Sequence, residues 1–146
     1  METKGGFYIT QIKQLQGRIF EKLLVENDIE ISDGQGRILF ILWKKNNLTI
    51  SEISKETSLA KNTVSIVVDG MVNKGILDRK INPNNRRQTI ISLTDYAKSL
   101  QEKYEKVSEQ MGVVFYKGFS EAERSEFEGY LKRIIETLTE FEKSEK

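Results

Sequence analysis

A mainly helical fold carrying a small antiparallel sheet follows from three observations in this sequence. Proline occurs once, at Pro83, so helices can run long almost everywhere. Between Leu48 and Lys98 a short apolar-periodic segment, a tight polar turn and a longer helical segment follow one another. Two β-rich strings come next, bracketing a turn that holds Arg86 and Arg87. Long amphipathic segments lie on both sides of this stretch. The fold class these features predict is mainly α (α+β): a winged helix-turn-helix with a two-stranded wing at residues 34–95. Helices at 1–30 and 96–146 flank it, within a single domain spanning 1–146.

The first helix is expected at Phe7–Glu26, where Ile12, Leu15, Ile19, Leu23 and Leu24 recur at helical spacing beside Phe20. A polar break at Asn27–Asp33 ends it, and Ser32 or Asp33 is placed to cap a second helix containing Ile38, Leu39, Ile41, Leu42 and Trp43. That helix is apolar over much of its circumference, so it should be covered on more than one side. Thr49 and Glu52 have capping-box spacing ahead of Ile50 and Ile53 and start the third helix. Ser58–Ala60 is the turn, and Lys61 to about Lys74 is the fourth helix, with Val64, Val67, Val68 and Met71 inward. Gly75 sits where helices commonly end. Ile76–Ile81 and Gln88–Leu93 read as strands, with Asn82–Arg87 as the hairpin turn between them.

After Thr94, a heptad-like helix places Ala97, Leu100, Tyr104, Val107, Met111 and Val114 along one seam. Gly118–Ser120 breaks it, and Ser120 with Glu123 makes another capping box. The last helix carries Phe127, Leu131, Ile134, Leu138 and Phe141 on one face, widened by Tyr130 and Ile135, and the polar end Glu142–Lys146 is expected to fray. This much apolar surface outside the winged unit calls for either a monomeric bundle or a second copy. The homodimer is the expectation, because a helix-turn-helix normally needs paired half-sites.

Cysteine and histidine are both absent. Disulfides, thiol switches and Ser-His-Asp or Cys-His catalysis are therefore excluded within this chain, and a structural zinc site has almost no ligands to draw on. Paired carboxylates such as Glu121 and Glu123 suit the start of a helix better than acid–base work. No enzyme activity and no cofactor are expected. No apolar run approaches the ~20 residues that cross a bilayer, and the first residues lack the apolar core of a signal peptide, so the expected compartment is the cytoplasm, away from membranes.

Net charge is only +1, yet Lys44–Lys98 holds ten basic against five acidic residues, while the flanks are mildly acidic. The basic part coincides with the helix-turn-helix pattern, and together they point to double-stranded DNA. A recognition helix presents its first turns to the major groove. Here those turns offer Lys61, Asn62, Thr63 and Ser65. Arg86 and Arg87 at the hairpin are suited to a narrow minor groove or a phosphate, and Arg79 and Lys80 at its base to phosphates. Thr49 and Ser51, at the start of the preceding helix, complete the expected DNA-contacting set.

The strings LTISEIS, AKNTVSIVVDGMVNKG, ILDRK and NNRRQTIISLT, with helices before and after them, resemble the MarR (multiple antibiotic resistance regulator) family of winged-helix transcription regulators. The resemblance implies a sequence-specific DNA-binding regulator: a homodimeric repressor on an inverted-repeat operator, released by a small and often aromatic effector. It also makes Arg87 the groove residue, with Asn85 where relatives carry an Asp that braces that arginine. Ile66 stands where relatives often carry Arg, Gly70 is a second departure, and Ala60 stands where Ser frequently caps. Trp43, Phe40, Tyr8 and Arg37 lie on segments that can line an effector pocket. The alternative is a winged-helix dimer that binds another protein and no operator, a reading kept alive by Ile66 and Asn85.

Overall fold

The computed structural model describes residues 2–145. In them the elements run α1 (Gly5–Glu26), α2 (Asp33–Lys44), β1 (Leu48–Thr49), α3 (Ile50–Thr57), α4 (Lys61–Asn73), β2 (Leu77–Asn82), β3 (Asn85–Leu93), α5 (Asp95–Phe115) and α6 (Glu121–Ser144). By its internal contacts the chain divides into two compact units, one ending at Met111 and one beginning at Gly112.

The sheet of the first unit is antiparallel with strand order β1-β3-β2. Sequence reading misses β1, because two residues carry no period. Only their pairing with β3 (Leu48 with Ile91, Thr49 with Ile90) makes them a strand. Asn46 secures the approach by accepting the Leu93 backbone N–H at 2.9 Å. The core gathers Leu24, Ile38, Leu39, Leu42, Ile53, Val64, Val68, Met71 and Ile91, each fully buried. Ile29 and Ile31, within the expected polar break, are buried as well.

Local chemistry sets the helix ends. Ser32 caps α2 and Thr49 caps α3, each in a complete capping box with Gln35 and Glu52 respectively. At the end of α4 the Ile76 N–H donates to Met71 O and the Gly75 N–H to Val72 O, while Gly75 takes φ +76°. This is the Schellman pattern, which satisfies orphan carbonyls and needs a left-handed residue.

The hairpin is tighter than expected. Its turn is only Pro83–Asn84, and β3 begins at Asn85, so Arg86 and Arg87 lie on the strand instead of at the tip. Two side chains close it: Asn82 Oδ1 accepts the Asn84 N–H at 2.9 Å, and Asn85 Oδ1 accepts the Arg87 N–H at 3.1 Å.

In the second unit Ser120 caps α6, again with a full capping box through Glu123. Tyr116 anchors the turn, its ring 4.9 Å from Phe115, 5.9 Å from Phe119 and 6.2 Å from Phe127, with its hydroxyl donating to Glu128 at 2.7 Å. Helix α6 continues through Ser144 instead of fraying from Glu142, with the Ser144 hydroxyl donating to Phe141 O. Lys146, the last residue of the expected frayed end, lies outside the described residues.

Candidate nucleic-acid interface

Helices α3 and α4 are joined by Ser58–Ala60, with Ser58 left-handed at φ +60°. The turn is held from inside: Ser54 Oγ donates to Leu59 O at 2.6 Å, and the Leu59 N–H donates to Thr57 Oγ1 at 3.2 Å. These bonds fix where α4 starts. Ala60 offers no side-chain cap, so the first N–H groups of α4 lack a local acceptor there. Lys61, Asn62 and Thr63 are exposed and Ser65 is half-buried, while Val64, Val68 and Met71 bury the opposite face.

Thr49 sits half-buried at the head of α3, where its hydroxyl oxygen accepts the Glu52 N–H at 3.1 Å. The Glu52 carboxylate in turn accepts the Thr49 N–H, and this bond holds its pKa below the ordinary 4.5, helped by Lys45. The structure thus gives Thr49 a structural task first. Ser51 is exposed one residue into the helix.

The wing is irregular at the residues of interest. Ile81 pairs with Thr89, but the next pair is Asn82 with Asn85, so Arg86, Arg87 and Gln88 are extra residues on β3 with no partner in register. A bulge of this kind re-aims the side chains it carries. Both arginines are exposed, and among the described residues neither has an ion-pair partner. Asn85 braces the Arg87 backbone, which differs from the side-chain bracing inferred from resemblance.

Arg79 is placed differently from the other wing cations. Its guanidinium donates to the Asp69 carboxylate, tying β2 to α4. Sequence reading misses this pair, since residues ten apart on a helix and a strand carry no spacing rule. Lys80 is exposed and has no ion-pair partner among the described residues.

The four residues considered for an effector pocket are engaged separately. Arg37 pairs with Asp33 at 3.2 Å, and Phe40 is exposed, with the Lys44 ammonium 4.3 Å from its ring centre. Tyr8 is exposed beside Phe7. Trp43 donates to Ala97 O at 3.0 Å and packs against Tyr104, whose ring also meets Phe20. Burial pushes the Tyr104 phenol up to about 12, with Asp33 adding to the rise and Arg37 opposing it. Gly36 makes room for that hydroxyl, which a Cβ would strike.

A helix-turn-helix followed by a hairpin bearing exposed cations is the arrangement of a winged-helix protein. Residues 31–89 match the MarR family, so the chain carries a MarR-family domain. It is 25% identical over 138 residues to the HTH-type transcriptional repressor IacR of Pseudomonas putida, covering 92% of this chain and 81% of that one. A structure of mutant MarR from E. coli complexed with operator DNA superimposes with TM-score 0.80 at 23% identity, covering 88% of this chain and 91% of that one. Bordetella bronchiseptica BpsR, whose DNA binding is regulated by 6-hydroxynicotinic acid, superimposes with TM-score 0.82 at 20% identity, covering 92% of this chain and 96% of that one. These likenesses establish the winged-helix fold. No described helix is long and apolar enough to cross a membrane.

Proposed function

We propose that this protein is a homodimeric repressor that binds an inverted-repeat operator in duplex DNA and carries out no catalysis. The observation that carries the reading is the combination of an exposed polar helix start with two exposed arginines in a wing bulge, neither ion-paired among the described residues. Lys61, Asn62, Thr63 and Ser65 contact the major groove, Arg87 with Arg86 enters the minor groove, and Lys80, Ser51 and the Thr49 hydroxyl proton take phosphates. Arg79 contributes less than Arg87, because Asp69 already neutralises part of its charge.

Residues 34–95 form the DNA-binding part, and residues 1–30 and 96–146 hold the two copies together. Phe7, Ile9, Ile12, Leu15 and Ile19 on α1, and separately Ile134, Ile135, Leu138 and Phe141 on α6, are 40–69% exposed, two apolar faces that a second copy covers. Two recognition helices then meet half-sites about one turn, ~10 bp, apart. Release by a small aromatic compound, on the pattern of BpsR, is the accompanying proposal, and a cytoplasmic location suits it.

Fluorescence anisotropy with the duplex flanking the protein's own gene, at several salt concentrations, tests the reading. Affinity should exceed that for unrelated DNA and fall steeply with salt, and Arg87→Ala should weaken it at low salt more than Arg79→Ala does. Equal binding to any duplex, or none, sinks it. The second reading, a protein-interaction module without an operator, takes Ile66, 72% exposed on α4, as a protein contact.

A further inference from the structure

The outward face of α4 holds a row at i, i+4 and i+8: Asn62, Ile66 and Gly70. Asn62 is polar, Ile66 is the large apolar side chain left exposed on this helix, and Gly70 has no side chain. Nothing within 4 Å meets a Cβ built on Gly70, and its φ is not positive. Neither packing nor backbone conformation requires glycine there, and a glycine inside a helix costs stability relative to alanine. What the missing side chain does supply is clearance on the outer face.

We propose that Ile66 reads a base: its side chain packs on the C5 methyl of a thymine in the major groove, and Gly70 lets α4 lie close enough for that contact. The inference rests on the DNA-binding reading above and deepens it. Thymine presents a methyl group in that groove beside its hydrogen-bonding atoms, so an apolar side chain there selects it. The surroundings favour this occupant over a protein. The outward neighbours Asn62, Ser65 and Asp69 are polar, so the apolar spot is one side chain wide, far below what a protein interface buries. Asp69, the acid on this face, is matched by Arg79, which limits its repulsion of phosphates. Lys61 on α4 and Lys80, Arg86 and Arg87 on the wing supply positive charge for a polyanion.

The probe is a duplex that the protein itself enriches from a randomised pool, with each thymine replaced in turn by deoxyuridine. That change deletes the methyl group and keeps the base pair. Wild-type affinity should fall about fourfold at one thymine per half-site, the factor carried by one buried methyl. Ile66→Ser, a change at an exposed position, should bind the thymine and uracil duplexes alike. Gly70→Ala should raise the melting temperature and yet lower affinity. Identical responses of wild type and Ile66→Ser to uracil at every position overturn the proposal, and so does loss of all binding by Ile66→Ser. Unchanged affinity in Gly70→Ala overturns the clearance role. Failure to enrich any sequence overturns instead the DNA-binding reading on which the proposal rests.

Discussion

Helices α4 and α6 both carry an apolar stripe at helical spacing, and the stripes meet different fates. In α4, Val64, Val68 and Met71 are fully buried. In α6 no residue is buried, and Ile134, Ile135, Leu138 and Phe141 stand 45–64% exposed. The same contrast runs within α1, where Phe20 and Leu24 are buried while Ile12, Leu15 and Ile19 are not. Periodicity states that a face must be covered; it does not state whether the cover comes from the same chain. Burying an aliphatic side chain contributes roughly 1.5–3 kcal/mol wherever the cover comes from, so the exposed stripe of α6 holds stabilisation that its own unit does not realise and that the proposed second copy would supply.

An aspartate placed in each apolar stripe should have opposite consequences in the two helices. Val68→Asp puts an unpaired charge in the core and should cost several kcal/mol, removing the cooperative thermal transition seen by circular dichroism. Leu138→Asp should leave helix content intact and instead convert dimer to monomer in analytical ultracentrifugation, with operator binding lost. A dimeric Leu138→Asp protein would take α6 out of the assembly.

Gly36→Ala comes next in size. Its Cβ would overlap the Tyr104 hydroxyl and lie 3.0 Å from the ring carbon that bears it, an overpacking worth about 1–3 kcal/mol. Tyr104→Phe in the same chain should recover most of that loss in urea denaturation, and no recovery would mean that the strain lies elsewhere. Thr49→Ala removes the acceptor of the α3 cap and should cost about 1 kcal/mol. The smallest effect belongs to Glu52. Folding lowers its pKa, so its contribution is present above 4.5 and lost as pH falls below that value. Glu52→Gln should flatten the acid limb of a stability–pH series, and an unaltered limb would assign acid sensitivity to other carboxylates.

Local features were the legible ones. The two capping boxes at Thr49 and Ser120 and the glycine stop at Gly75 were readable because each depends on residues within a few positions of one another. The helix-turn-helix was readable for the same reason. Strand β1 was hidden because its pairing partners lie about forty residues away on β3. The wing turn expected at Asn82–Arg87 is wider than the one observed, since a run of Asn, Pro and Arg marks a turn without giving its length. The Asx bonds of Asn82 and Asn85 shorten it to Pro83–Asn84 and move both arginines onto the bulged strand. The Asp69–Arg79 pair had no signal at all in the sequence.

The winged helix-turn-helix, its basic middle and the absence of cysteine and histidine chemistry are legible in the chain's residues alone, because composition, period and short-range capping act along the chain. Long-range packing ties Arg79 to α4 and leaves Arg86 and Arg87 with no ion-pair partner among the described residues. It also decided that the polar break hides two buried isoleucines and that the stripe of α6 is left exposed within its own unit. The physical reason is common to all of these. Pairing and burial depend on distances between residues remote in sequence, which no local pattern encodes.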